Sequence, residues 1–298
     1  MPVDRELGSL AEHSEDVTRE LYARGRGIEA GESVLADAVL AYRELFAERL
    51  VAAYALGSLA HGGFSQMVSD IDLCVVLADP AHRSDPDTVL AVARDVRARG
   101  TTLHERLSVF WGTPSSLRGD VTVGRFPPLD RLCLIDHGRL LFGDDAREGF
   151  PRPNTAELVV AGAEFALEYL GTDNVVEQVR QPKQLLARGT RWMTKVVLFP
   201  ARFVFTAESG QEGTNEAAAA RYVADEHAPG AALVTAALAM RTAPIDTNQA
   251  IVTLLDTQLL PLYLHYTADH VTRLTALRHP ELTEAFRGWH QRLQRGIS

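Results

Sequence analysis

Cysteine is nearly absent from this chain of 298 residues: there are two, Cys74 and Cys133. Both sit inside apolar runs, DLCVVL and RLCLID, without metal-ligand spacing. That argues against a disulfide scaffold or a zinc module, and both thiols read as small buried hydrophobes. Long apolar runs are also missing. No uninterrupted stretch of about 18 apolar residues occurs, so no membrane span is expected. The opening MPVDRELGSLAEHSEDVTRE is charged and has no apolar centre, unlike a secretory leader. The expected location is cytoplasmic. Positive charge is scarce as well, with 30 Lys+Arg against 39 Asp+Glu and a formal net charge of −9. Non-specific nucleic-acid affinity is mostly phosphate neutralisation by clustered Lys and Arg, so a polynucleotide partner is disfavoured. A small cationic acceptor suits an acidic surface better. Internal repeats and low-complexity segments are absent.

What is present is an ordinary globular composition, 46% hydrophobic and 23% charged, in a chain long enough for two modest domains. The most informative segment is YALGSLAHGGFSQMVSDIDLCVVL, residues 54 to 77. Small and β-branched residues lead to Gly57-Ser58; eleven residues follow, and then Asp70 and Asp72 alternate with Ile71 and Leu73. Side chains alternate across a strand, so the two aspartates share one side, about 7 Å apart. Two neighbouring carboxylates repel unless a cation lies between them. Hard divalent ions such as Mg²⁺ take carboxylate oxygens and keep room for phosphate, so Asp70 and Asp72 are a candidate metal platform for phosphoryl or nucleotidyl transfer. Gly57 permits close backbone approach to a phosphate, and Ser58 adds a hydroxyl donor.

Residues 15 to 50 carry apolar positions at helical spacing, and Val51–Leu56 and Ser69–Leu77 read as strands with a short turn or helix over Leu59–Phe64. SDPDTVLAVARDVRARG is a helix with an acidic start and a stop at Gly100, and RLSVFWG is a third strand. RLCLIDHGRLLFGDD reads as a hairpin turning at Asp136-His137-Gly138. This order suits a small mixed sheet with helices on one face. After FPRPN the texture becomes helical in period to the end, and Pro200 in VVLFPARF is expected to kink or break its helix. The reading is α+β: an N-terminal mixed-sheet domain over residues 1–150 and an all-α domain over residues 151–298.

The pattern apolar-Gly-Ser, eleven residues, Asp-apolar-Asp-apolar between two strands resembles the signature of the DNA polymerase β nucleotidyltransferase superfamily. LLFGDDAREGFPRPNTAELVVAG is similar to the connector of bacterial aminoglycoside adenylyltransferases of the streptomycin/spectinomycin type. KVVLFPARFVFTAESGQEGTNEAAAARYV is similar to the helix, glycine turn and helix of their second domain. The likeness covers roughly residues 50 to 225. It implies a Mg-dependent nucleotidyltransferase, with ATP or another nucleoside triphosphate as co-substrate. The acceptor would be a small hydroxyl-bearing molecule, bound in a cleft between the domains; an aminoglycoside-like antibiotic, and hence antibiotic resistance, is the family's example.

That family follows its glycine turn with a Ser-Lys pair whose lysine reaches the triphosphate. Here the stretch reads Thr214-Asn215-Glu216, so the resemblance gives Asn215 the nucleotide-binding position without the charge. Lys183, Arg191, Lys195 or Arg202 would have to compensate, and Thr214 reads as a helix N-cap. The resemblance also implies a third acid on the next strand as general base or second-metal ligand. RLSVFWG contains none, and Glu105 just before it is the candidate, with His104 as the alternative. Trp111 and Trp192 read as core or as an aromatic wall, His61 as a loop residue near phosphate, and Asp144 and Asp145 as solvated or facing a cationic acceptor. Other classes stay open: a toxin or regulatory enzyme acting on RNA or protein, an enzyme of secondary metabolism, and a degenerate nucleotide-binding protein without catalysis.

Overall fold

Apolar residues at both parities of the two central strands require cover on both faces of the sheet, and this decides the architecture. The computed structural model describes residues 3–243 and 249–295, with side chains from residue 25 onward. The first half runs α1 (Val3–Phe46), β1 (Leu50–Leu56), α2 (Gly57–His61), β2 (Ile71–Leu77), α3 (Asp85–Arg97), β3 (Leu107–Gly112), α4 (Pro114–Arg118), α5 (Pro128–His137) and β4 (Arg139–Gly143). The sheet order is β3-β2-β1-β4. β1 pairs antiparallel with β2 and β4, and β2 pairs parallel with β3, a connection that needs the crossover helix α3.

One face of the sheet, with Ala53, Ala55, Ile71, Leu73, Val75, Leu107, Val109 and Trp111, packs on Val34, Leu35, Ala38 and Tyr42 of α1 and on Val89, Val92 and Val96 of α3. The other face, with Ala52, Tyr54, Leu56, Cys74, Val76 and Phe110, packs on Leu117 of α4 and on Cys133 and Leu134 of α5. Helices on one face alone were expected; both are covered because β1 and β2 are apolar on both sides. The expected hairpin over RLCLIDHGRLLFGDD is instead α5 followed by β4. Pro128 opens the helix at a position where its missing N–H costs nothing, and Leu132, Cys133 and Leu134 are buried by it. Gly138 then lets the chain leave sharply: a Cβ there would lie 2.5 Å from the carbonyl oxygen of Leu134. The run Arg139–Gly143 pairs with β1 from the far edge.

The second half is helical throughout: α6 (Thr155–Tyr169), α7 (Asp173–Arg180), α8 (Pro182–Ala187), α9 (Thr190–Ser209), α10 (Asn215–Val223), α11 (Ala231–Ala239), α12 (Gln249–Ala276) and α13 (Pro280–Gln294). Its buried cluster draws only on residues 159 to 293 and is separate from the two clusters flanking the sheet. Residues 244–248, including Asn248 of the expected NQAIVTLL helix, and the chain ends fall outside the described residues. Among the described residues no helix is long and apolar enough to cross a membrane.

α9 is the central helix of this half, in contact with α6, α8, α10, α11 and α12. The expected break at Pro200 does not occur; α9 is continuous through it. Proline has no N–H for the carbonyl of Val196 one turn earlier. The buried hydroxyl of Tyr263 on α12 donates to that carbonyl instead, at 2.8 Å. Tyr263→Phe is therefore expected to cost about 1–3 kcal/mol by leaving a buried acceptor unpaired. In a Pro200→Ala background, where a backbone N–H is restored, the same substitution should cost less than about 1 kcal/mol. Denaturant unfolding of the four proteins closes this double-mutant cycle; equal costs in the two backgrounds would show that the tyrosine does not serve the proline.

Candidate functional site

The site lies where the sheet's aspartate edge meets α9. Asp72 is on β2, on the face of Cys74 and Val76, level with Leu56 of β1 and Ser108 of β3. Gly57, at the start of α2, has φ +56°, and a Cβ on it would come 2.4 Å from Asp72 Oδ2. Only glycine lets this turn lie directly against the carboxylate. Its N–H donates to Cys133 Sγ at 3.1 Å, which ties the turn to α5. One cleft is lined by Gly57, Ser58, Asp70 and Asp72 from the sheet half and by Lys195, Arg202, Asn215 and Arg241 from the helical half. Five of the six expected site residues thus meet: Asp70, Asp72, Gly57, Ser58 and Asn215.

α9 supplies a whole wall of this cleft. Thr194, Lys195, Leu198, Phe199 and Arg202 all line it, at the i, i+1, i+4, i+5 and i+8 spacing of one helix face. Arg191, one turn earlier, makes an ion pair with Asp70, and Lys195 Nζ makes a second at 2.5 Å. Arg202 donates through Nε to the Gly213 carbonyl at 2.5 Å, which anchors the glycine turn before α10. Thr214 caps α10 by accepting from the Ala217 N–H at 3.2 Å, the role its sequence context predicts, and Asn215 is the first helical residue. Arg241, buried between the halves, donates to the Gly63 carbonyl at 2.7 Å, while Ser65 Oγ donates to the Arg241 carbonyl.

Burial would raise the Asp70 carboxyl, but Lys195 and Arg191 hold it below the usual carboxylate range. Asp72 accepts no hydrogen bond and forms no ion pair among the described residues, and its carboxyl is pushed up to about 7. Burial is the main cause and the charge of Asp70 the second, with Lys195 and Arg202 opposing. Asp130 of α5 rises to about 8 through burial and then through Asp72. Among the described residues no three His, Cys, Asp or Glu side chains form a metal cage. An all-oxygen pair with one member lacking any partner does fit a hard divalent ion whose remaining ligands are phosphate oxygens and water.

The expected base is elsewhere. Glu105 lies on a 3-10 turn, His104–Arg106, and is exposed, outside the cleft lining. β3 begins only at Leu107, so strand alternation does not carry Glu105 to the aspartates, and the β3 residue paired with Asp72 is Ser108. His104 is held by Asp37 at 3.0 Å and Thr101 at 2.6 Å, also outside the cleft lining. Trp111 is core, and Trp192 donates to Gln178 at 2.7 Å outside the cleft lining. Asp145 is structural, accepting from Tyr54 Oη at 3.0 Å and from Arg147.

No family model and no curated protein matches this sequence. Among solved structures, the spectinomycin adenyltransferase AAD(9) from Enterococcus faecialis, crystallised with ATP and spectinomycin, matches with a TM-score of 0.54. The match covers 78% of this chain and 98% of that one at 13% sequence identity. The chain shares the fold of that nucleotidyltransferase. The α+β reading, a mixed sheet followed by helices, holds on this comparison.

Three residues whose charge acts at this site escaped the sequence reading: Arg241, Asp130 and Glu212. Glu212 lies in the glycine turn with its side chain 10% exposed, 3.6 Å from His137 Nε2. The ring of His137 in turn meets that of His61 edge-on. The only local signal for Glu212 was an acid placed between two glycines, SGQEG.

The raised Asp72 carboxyl has a sign. The folded chain binds that proton more tightly than the unfolded chain, so stability falls as pH rises from about 4 to about 7. Without divalent metal, Asp72→Asn should stabilise the protein at pH 8 by on the order of 1–2 kcal/mol, allowing for solvent screening of a half-buried group. The gain should vanish near pH 4. Thermal melts in EDTA across this range measure it, and a loss of stability at pH 8 would contradict the assignment.

Proposed function

We propose that this chain is a metal-dependent nucleotidyltransferase that moves a nucleoside monophosphate, AMP from ATP, onto a hydroxyl of a small molecule. In this reading residues 1–150 form the nucleotidyltransferase domain and residues 151–298 a helical domain that closes over the acceptor. The observation that carries it is the meeting of Asp70, Asp72 and Ser58 with Lys195, Arg202 and Asn215 across one cleft. The shared fold with an enzyme solved with ATP and spectinomycin supports the same reading.

Asp70 and Asp72 would hold Mg²⁺, which when bound neutralises phosphate charge and lowers the pKa of the attacking hydroxyl. Ser58 and the Gly57 turn receive the outer phosphates, and Arg202 and Arg241 offset their charge. Lys195 stands in for the cation that Asn215 lacks. It would be free to do so once nucleotide and metal take Asp70, because among the described residues its only ion pair is with that carboxylate. The apolar part of the α9 wall, Leu198 and Phe199, keeps water from competing as nucleophile. Glu105 has no part in this scheme.

A second reading, nucleotide binding without transfer, is favoured by one feature: Ser108, not an acid, is paired with Asp72 on the neighbouring strand. The two separate cleanly. Asp70→Asn and Asp72→Asn should each reduce transfer from radiolabelled ATP by at least about 10³ while leaving the circular dichroism spectrum unchanged. Lys195→Gln should weaken MgATP binding about tenfold by calorimetry. Unchanged turnover in either aspartate variant would remove the metal assignment. MgATP binding without transfer to any acceptor in a panel of antibiotics, sugars and nucleosides would support the second reading.

A further inference from the structure

The chain carries a net charge of −9, yet its charge is sharply segregated. From Gln178 to Ala207 there is no Asp or Glu, and there are six cations, Arg180, Lys183, Arg188, Arg191, Lys195 and Arg202. This stretch covers the end of α7, α8 and nearly all of α9, the helix that walls the cleft. Among the described residues the only acids lining the cleft are Asp70 and Asp72, and both are committed to metal in the reading above, on which this inference rests. Asp130 and Glu212 do not line it; Glu212 is packed behind the floor against His137.

Around Asp70 the imbalance is local. Arg191 and Lys195 contact it directly, and Arg106, anchored to the Gln66 carbonyl at 2.8 Å and the Met67 carbonyl at 3.3 Å, feels the charges of Asp70, Arg191 and its exposed neighbour Glu105. Three cations therefore stand against two carboxylates, Asp70 and Glu105. Along α9 Arg191 stands about 16 Å from Arg202, so the two cannot serve the same group. Arg202, Arg241 and Lys195 lie in the same cleft as the Gly57-Ser58 turn and serve the triphosphate in the reading above. Arg191, with its side chain 40% exposed and its Nε buried without a partner among the described residues, stands beside Asp70 just outside the residues that line the cleft. A polycationic acceptor approaching Asp70 would meet Arg191 and Arg106, and like charges so placed oppose binding.

We propose that the acceptor is a small hydroxyl compound bearing an oxyanion, a phosphate or a carboxylate, and that Arg191 and Arg106 bind that group beside Asp70. With Asp70 holding a metal, Arg191 would be free of its ion pair and available to the oxyanion. This reverses the expectation of a cationic acceptor drawn from net charge. Overall charge describes the whole surface, whereas recognition depends on the wall the substrate meets.

The test uses the full chain saturated with Mg²⁺ and a non-hydrolysable ATP analogue. Ribose 5-phosphate, ribose, gluconate and spectinomycin are titrated in turn by calorimetry. Binding of ribose 5-phosphate or gluconate at least tenfold tighter than ribose, with none of spectinomycin, is expected; the two anions distinguish phosphate from carboxylate. Arg191→Gln should weaken the anion at least tenfold and Arg191→Lys should recover part of the loss, with the affinity for ribose unmoved. Tighter binding of spectinomycin than of either anion, or no preference for an anion over ribose, would overturn the proposal while leaving the nucleotidyltransferase reading in place. So would transfer confined to tRNA or to a protein. Failure of the ATP analogue itself to bind would instead sink the reading on which the proposal rests.

Discussion

Two carboxylates two residues apart in a half-buried cleft cannot both stay ionised unless positive charge is brought to them, and the arrangement of the second half of the chain answers that constraint. α9 delivers Arg191 and Lys195 to Asp70, and Arg202 acts on Asp72 from the same helix. The compensation is unequal. Asp70 has two contacting cations and is held below the ordinary range, whereas Asp72 has none and is raised. A carboxyl poised near neutrality against an ionised neighbour is the electrostatic state of a site that gains most from a bound cation. The ion pairs also join the sheet half to the helical half, together with Arg241 and its hydrogen bond to the Gly63 carbonyl.

Much of this site could be read in the sequence because its determinants are local. The spacing of Gly57-Ser58 and Asp70-x-Asp72 follows from one turn and one strand, and the close approach of Gly57 to Asp72 is the physical reason for a glycine there. Thr214 as a cap and Asn215 as the first residue of α10 were legible for the same reason. The change of texture near residue 150 anticipates the separate buried clusters of the sheet and helical halves.

What could not be read depended on partners distant in sequence or on short apolar runs that suit either helix or strand. RLCLID is six residues long, too short for periodicity to decide; Pro128 and Gly138 at its flanks decide it for helix. Glu105 was placed by extending strand alternation two residues too far, into a 3-10 turn. Pro200 was expected to kink or break α9, which runs on unbroken, and the group that takes up the freed Val196 carbonyl, the hydroxyl of Tyr263, lies 63 residues beyond the proline. Arg241 enters the site from the α11–α12 connection, for which no local motif exists.

A protein sharing this fold at 13% identity constrains the backbone far more than the charge of its cleft. The lysine that the resemblance predicts at the start of α10 is absent, yet cations on α9 reach the same cleft from one helical turn and three turns farther along the wall. Such relocation is physically permissive, because a triphosphate is neutralised by the sum of nearby positive charge and tolerates several geometries for it. The acceptor is less tolerant. In the proposed reaction its hydroxyl would have to meet the phosphorus in line, so whichever cations border that position would select the groups the acceptor can carry beside it. On the proposed reading Arg191 and Arg106 border that position, so placing positive charge on α9 rather than α10 would bear on acceptor choice as well as on the nucleotide.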